Sequence, residues 1–499
     1  MRARIMKFSF LLKIGVTILL VVTFNWLFPY DLEGVSVGLF GLAWLVGLIL
    51  ARPAVRHSRL GVATALAFAA LFSVALAYDP GPLPLFLFLC ALSIATLLPR
   101  TAGFDDAWRW AVRLLLHGMT GAIRPVLDLL RLLAIRPRGR RRTLKALAGT
   151  LALPLFGTIL FTILFAKANP LIANALGRIA LPTPAKLIEW TFATFLVWPM
   201  LRPHPVVTRL KIPDPAVELP GTSLASALIA LTLFNILFAV ENGLDVAFLW
   251  SGAPLPAGTS MADYAHQGAY PLIATALLAG FFVLTMLRPG TASAADPWAR
   301  RLVALWVAQN LFLVASSALR TIDYIQAYDL TAWRIAALLW MGLVAVGLIL
   351  ICWRLWTARS TRWLINANAL AAAFVLIPCS FIDLNALAAR WNVSHAREVG
   401  GAGSQLDLCY LSRMGAPALL PLMELEQRPL SPEFADRLHY VRSRLFDRLV
   451  DRQSHWWSWT PHGAMRLTRA QALLGPRPIL IAPIPNGGDR YCGGAPYRS

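Results

Sequence analysis

Ionisable and amide side chains gather at four places where a chain this apolar has few of them. Glu241, Asn242 and Asp245 close one apolar stretch, and Met261 to Pro271, with Tyr264, His266 and Tyr270, leads into the next. Gln309 and Asn310 lie inside a third stretch, which ends at Arg320, followed by Asp323 and Tyr324. A fourth opens on Tyr328-Asp329-Leu330-Thr331-Ala332-Trp333-Arg334. Such groups are costly in hydrocarbon and persist there with a partner or a purpose. If the loops converge, Glu241, Asp245, Tyr264, His266, Tyr270, Arg320, Asp323, Tyr324 and Arg334 line one pocket able to bind a polar ligand or exchange protons. A plainer reading stands beside this one. Thr331 or Asp329 caps a helix, Tyr and Trp anchor at headgroup depth, and Arg320 with Asp323 forms an ordinary ion pair three residues apart. His266 alone makes no metal site, since zinc wants three or four convergent ligands. No metal, cofactor or catalytic residue is assigned.

The elements that must hold these groups are helices in a membrane. Of 499 residues, 58% are hydrophobic and 14% charged, and the mean hydropathy is +0.61. The apolar content falls in blocks of roughly 17 to 23 residues, the length a helix needs to cross the hydrocarbon. Eleven spans are predicted, near 8–29, 34–50, 60–77, 82–98, 147–166, 184–201, 222–241, 268–287, 302–319, 331–353 and 363–382. The blocks show no apolar/polar alternation, which excludes a membrane barrel. The expectation is an all-α polytopic membrane protein with a small, mainly helical, soluble C-terminal domain. Its organisation reads as helices one to four in 1–99, a basic amphipathic segment in 100–146, helices five to eleven in 147–382 and an extracytoplasmic domain in 383–499.

Arginine and lysine set the expected orientation, because basic loops stay on the cytoplasmic side. With the N-terminus inside, the inner segments hold 26 basic residues and the outer loops 5. The odd span count then puts the tail outside, which implies a bacterial inner membrane with the C-terminal domain periplasmic or extracellular. The net charge of +21 is absorbed by this asymmetry and does not argue for nucleic acid. Residues 108–133 carry apolar and basic side chains at helical spacing and precede Arg136-Pro-Arg138-Gly-Arg140-Arg141-Arg142. That pattern reads as a helix on the inner leaflet, among anionic lipid headgroups. The bilayer is thus the expected partner, and no protein partner is indicated.

In the tail, Cys409 and Cys492 are the only cysteines and could form a disulfide in an oxidising compartment, although a free buried pair fits nearly as well. Residues 404–450 read as helical, Ser431-Pro432-Glu433 as a helix start with Ser as the cap, and 473–483 as a strand or loop. His455-Trp456-Trp457-Ser458-Trp459 and His462 form an aromatic patch, read as packing or membrane-surface contact rather than a ligand box. Glu189, beside Lys186 and Trp190, reads as interfacial. No phosphate-binding loop, nucleophile elbow or paired-histidine zinc helix is present.

The sequence resembles a bacterial membrane family known as domain of unknown function 4173 and its relative 4153. The likeness rests on Glu241-Asn242-Gly243-Leu244-Asp245, Tyr264-Ala265-His266-Gln267-Gly268-Ala269-Tyr270-Pro271-Leu272, Tyr328-Asp329-Leu330-Thr331 with Arg334, and Asp407-Leu408-Cys409-Tyr410-Leu411, over roughly 220–460. Asp329 stands where the resemblance implies glycine, which speaks against a strict backbone role there. The resemblance implies a multi-pass membrane protein without an assigned activity. The expected function is a non-enzymatic envelope protein that senses or binds something outside. Its rivals are a secondary transporter using the polar cluster and a lipid-modifying enzyme using His266.

Overall fold

A helix satisfies its backbone internally, as hydrocarbon demands, and the computed structural model is helical with no strand among the described residues. It describes all residues except 1, 57–59, 102, 135–143, 170–181, 214–222, 252–277, 279–281, 283–294, 402, 475–489 and 496–499. The membrane part comprises α1 (Arg2–Leu27), α2 (Val35–Ala51), the short α3 (Pro53–Arg56), α4 (Leu60–Tyr78), α5 (Pro82–Leu97), α6 (Ala107–Ala134) and α7 (Leu144–Ala168). It continues with α8 (Pro184–Leu201), the short α9 (Pro205–Arg209), α10 (Leu224–Asp245), α11 (Pro297–Tyr328), α12 (Ala332–Thr357) and α13 (Thr361–Cys379). Ten of the expected spans fall on these helices, and the eighth, 268–287, lies outside the described residues apart from Leu278 and Phe282. Among the described residues, seven helices are long and apolar enough to cross a bilayer. Of the remaining expected spans, α2 has only 17 residues, α8 carries Lys186 and Glu189, and the fifth and eighth lie wholly or partly outside the residues whose side chains are described.

The spans pack in two groups. Trp44, Leu48, Phe88, Leu92, Leu97 and Leu201 form the core of the first, made by α1, α2, α4, α5 and α8. Small residues bring α2 and α4 together, since a Cβ on Gly38 would stand 2.3 Å from the Ser73 carbonyl oxygen and 2.4 Å from the Ala77 Cβ. The second group, α10 to α13, closes on Leu231, Val303, Trp306 and Leu348.

Helix α6 lies against α8 and links the groups, and its polar face is turned inward. Asp106, Trp110, His117, Gly121, Arg124 and Asp128 are buried, whereas Leu115, Met119, Ile123, Leu129 and Leu130 are exposed. Residues 117 to 128 meet the end of α8 and its exit, through His117 to Met200, Gly121 to Pro199 and Asp128 to Trp198 and Arg202. The far end of α6 meets α13, where the Asn366 side chain accepts from the Ala107 N–H at 2.8 Å.

The C-terminal helices α14 (Leu384–His395), α15 (Leu408–Met414), α16 (Ala416–Glu426), α17 (Pro432–Ser454) and α18 (Pro461–Leu474) share a core built on Leu408, Leu411, Leu419, Leu422, Leu438 and Leu445. The region 404–450, expected to be helical with a new helix starting at Ser431, holds three helices, and the break between α15 and α16 falls at Gly415, whose φ of 77° favours glycine. Ser431 holds the N-cap position before Pro432, but its hydroxyl makes no capping bond, contrary to expectation. Cys409 and Cys492 are joined in a disulfide, with Cα atoms 4.8 Å apart. The segment 473–483 lies outside the described residues beyond Leu474.

These helices sit on one end of the bundle, and the aromatic patch is one of the contacts. Trp456 meets Trp26 and Trp457 meets Tyr30, each with ring centroids 5.3 Å apart, and the Val35 N–H donates to the Trp459 carbonyl at 2.7 Å. Gly34 makes the approach possible: its φ is 71°, and a Cβ there would stand 2.2 Å from the Trp457 carbonyl oxygen. Gly34→Ala should therefore loosen the tail by about 2 kcal/mol or more, through left-handed backbone strain and overlap with backbone. Limited proteolysis of the full-length protein should cut the tail faster, while Gly118→Ala, which meets nothing within 4 Å, should leave the rate unchanged.

Candidate functional site

The polar residues of α10 and α11 face one another along a seam. Gln309 Nε2 donates to Asn235 Oδ1 at 2.8 Å, while Asn235 Nδ2 donates to the carbonyls of Leu231 and Leu302 at 2.8 and 3.0 Å. Two turns further along α10, Asn242 Nδ2 donates to the Gln309 carbonyl at 3.3 Å. Asp245 and Arg320 then form a buried ion pair, Arg320 Nη2 donating to Asp245 Oδ1. The ion pair read between Arg320 and Asp323 is thus overruled by one 75 residues away in sequence. Towards the other end of the bundle the seam closes on Leu228, Leu231, Ala299, Val303 and Trp306, so among the described residues the polar line does not continue across.

The other predicted site residues divide. Glu241 is exposed and Asp323 half-buried. Arg334 stands over the Tyr324 ring, 4.1 Å from its centroid, and donates to the carbonyls of Tyr328 and Asp329. Thr331, not Asp329, caps α12 by accepting from the Arg334 N–H. Tyr264, His266 and Tyr270 lie outside the described residues.

The corner between α11 and α12 docks on the tail. Asn392 makes two bonds to the Leu330 backbone, accepting its N–H at 2.6 Å and donating to its carbonyl at 2.9 Å. Ser404 Oγ donates to Asp329 Oδ1 at 2.6 Å. Burial pushes the Asp329 carboxyl up, and the Ser404 hydrogen bond works against that rise. Asp329 has φ 66°, so the backbone conformation that favours glycine is retained although the side chain is present. This corrects the expectation that the aspartate speaks against a backbone role at that position.

A second polar group, which the sequence does not single out as a site, forms where the tail covers the bundle. A chamber of about 700 Å³ is bounded by 32–34, 78–84 and 379–382 on the bundle side and by 383–385, 413–417 and 449–466 on the tail side. Its bundle wall carries Glu33 and Asp79; its tail wall carries Asp383, Arg413, Arg452, His462 and Arg466. Two pairs cross the gap, Arg452 with Glu33 and His462 Nδ1 with Asp79 Oδ2 at 3.1 Å, while Arg466 holds Asp383, at the start of α14, at 2.6 Å. Arg466 Nη2 also lies 3.2 Å from His462 Nε2. An arginine can only donate, so Nε2 accepts and Nδ1 carries the proton given to Asp79. Tyr78 stacks on the imidazole, with centroids 4.9 Å apart.

Asp79, Asp383 and His462 bring three potential ligand atoms within 4.8 Å of one another. Arg466 already supplies positive charge to two of the three, so the group is read as an ion-pair relay in which a metal would have to displace the guanidinium. His462 belonged in the sequence to an aromatic patch read as packing. That holds for the tryptophans beside it, whereas the imidazole faces the chamber.

The family profile described as "Domain of unknown function (DUF4153)" matches residues 61–425. The matched stretch begins well before the 220–460 region that carries the motifs and falls on the second of the two families they resemble. No curated protein and no solved structure matches the chain.

Two outcomes follow from this geometry. Removing either partner of the Asp245–Arg320 pair leaves a buried charge, so Asp245→Ala and Arg320→Ala should each cost about 3–5 kcal/mol, and the double variant clearly less than their sum; unfolding of the purified proteins in detergent reads the coupling. At position 329, Gly and Ala both lose the bond to Ser404, but only Ala keeps the backbone strain. Asp329→Gly should therefore unfold at a higher midpoint than Asp329→Ala, by about 1–3 kcal/mol.

Proposed function

This chain belongs to the DUF4153 family, and from that premise we propose that it is a non-enzymatic binding protein of a bacterial inner membrane, with its ligand site in the chamber between the tail and the outer ends of the spans. The observation that carries the reading is the opposition of charge across that chamber, with Glu33 and Asp79 on the bundle wall and Arg413, Arg452 and His462 on the tail wall, where Arg466 pairs with Asp383. Facing walls of opposite sign suit a small zwitterion, whose cationic end exchanges with the arginines and whose anionic end exchanges with the carboxylates. Because the same pairs hold the tail down, a ligand that inserts between them alters how the tail sits, which couples occupancy to a signal. The polar line along α10 and α11 gives transport less support, since it ends on apolar packing.

The cytoplasmic N-terminus and outward tail remain part of this proposal. Basic residues cluster at the loops remote from the tail, and the tail carries the cysteine pair that an oxidising compartment favours.

The test has two parts. In intact cells, a membrane-impermeant maleimide should modify Ser458→Cys in a Cys379→Ser background without permeabilisation; labelling only after lysis would overturn the outward chamber. Purified protein should then be screened by thermal shift against amino acids, betaines and small dipeptides. A ligand at a hundredfold its Kd stabilises by about 2.7 kcal/mol, a rise of several degrees. The rise should vanish in His462→Ala; a rise that survives this change, or none across the panel, would reject the chamber as the site.

A further inference from the structure

A second cavity, of about 640 Å³, opens between α1, α6 and α8, far from the chamber. Its walls are apolar along most of their length, with Ile14, Ile18 and Val22 from α1, Val126 and Leu129 from α6 and Phe195 from α8. It runs along α1 from Ile14 to Asn25, roughly 16 Å at the helical rise, which is about half the thickness of the hydrocarbon. At the tail end it is closed by a hydrogen bond from Trp190 Nε1 to Asn25 Oδ1 at 3.0 Å.

The opposite end is charged. Asp128, the one ionisable residue of the lining, accepts from Trp198 Nε1 at 3.0 Å and is met by Arg124 at 3.0 Å, Arg202 at 3.4 Å and Arg131 at 3.7 Å. Three guanidiniums around one carboxylate leave a surplus of positive charge at the mouth of an apolar cleft. Arg100 adds to it, donating to the Pro203 carbonyl at 3.3 Å, just beyond Arg202. The Arg124 side chain is only 4% exposed, and among the described residues its Nη1 has no hydrogen-bond partner. Arg131 and Arg202 keep 61% and 31% of their side-chain surface open.

We infer that this cleft binds one anionic phospholipid of the leaflet remote from the tail, with an acyl chain between α1, α6 and α8 and the phosphate on Arg131 and Arg202. The dimensions match a chain confined to one leaflet, and the charge at the mouth complements a phosphate. A lipid there would also cover apolar surface of α6 and seat that helix against α8.

The test is native mass spectrometry of the full-length protein in mild detergent, titrated with phosphatidylglycerol or with phosphatidylcholine of the same chains. Wild type should hold one phosphatidylglycerol with a preference over phosphatidylcholine of about thirtyfold, the effect of two arginines near an anionic headgroup. Arg131→Gln with Arg202→Gln should remove the preference, and Ile18→Trp, which fills the cleft, should weaken both lipids. Equal retention of the two lipids by wild type would overturn the inference without reference to any variant. So would a double variant that keeps the wild-type preference.

Discussion

An ionised side chain enclosed by apolar helices must find its counter-charge there, because hydrocarbon offers no water to replace it. In this protein that requirement ties the helices together at particular depths. The Asp245–Arg320 pair sets α10 against α11, and the amide contacts of Asn235, Gln309 and Asn242 continue the same seam. Asp128 does the same for α6, joining it to Trp198 and Arg202 at the end of α8. Apolar contacts alone would let such helices slide, since a leucine packs nearly as well one turn along. The polar pairs do not allow it.

The tail is held by a different balance. Its own core is apolar, but its contact with the bundle is largely aromatic and ionic, with backbone approach at Gly34 and Trp459. Exposed or half-exposed ion pairs such as Arg452 with Glu33 contribute little stability each. Together with the Asn392 and Ser404 bonds to the α11–α12 corner they position the tail, and several of them can be exchanged for bonds to a ligand. A rigid bundle, a compact tail and an exchangeable polar layer between them is an arrangement suited to binding.

Helix α6 illustrates how a correct reading of pattern leaves the geometry open. Its amphipathic spacing was visible in the sequence, and it forms a helix over nearly the expected residues. Its environment is inverted relative to a soluble protein, with the polar face inside and the leucines outside. Spacing reports that two faces differ, not which one meets the bundle. That choice follows from Asp106 and Asp128 finding partners on α13 and α8.

What the sequence determined by itself is whatever depends on near neighbours. Hydropathy blocks defined the helices, the imbalance of arginine distinguished the two ends of the bundle, and Thr331 marked the start of α12. The motif residues around Asp245, Arg320 and Arg334 also stood out, because charge in an apolar setting is conspicuous in one dimension. What only the tertiary structure decided is which of them meet. Arg320 chose Asp245 over Asp323, Asp329 took up a glycine-like backbone against the tail, and His462 came to lie beside Asp79, 383 residues away. No local pattern encodes these pairings, since each depends on helix ends brought together by packing angles that the whole bundle sets.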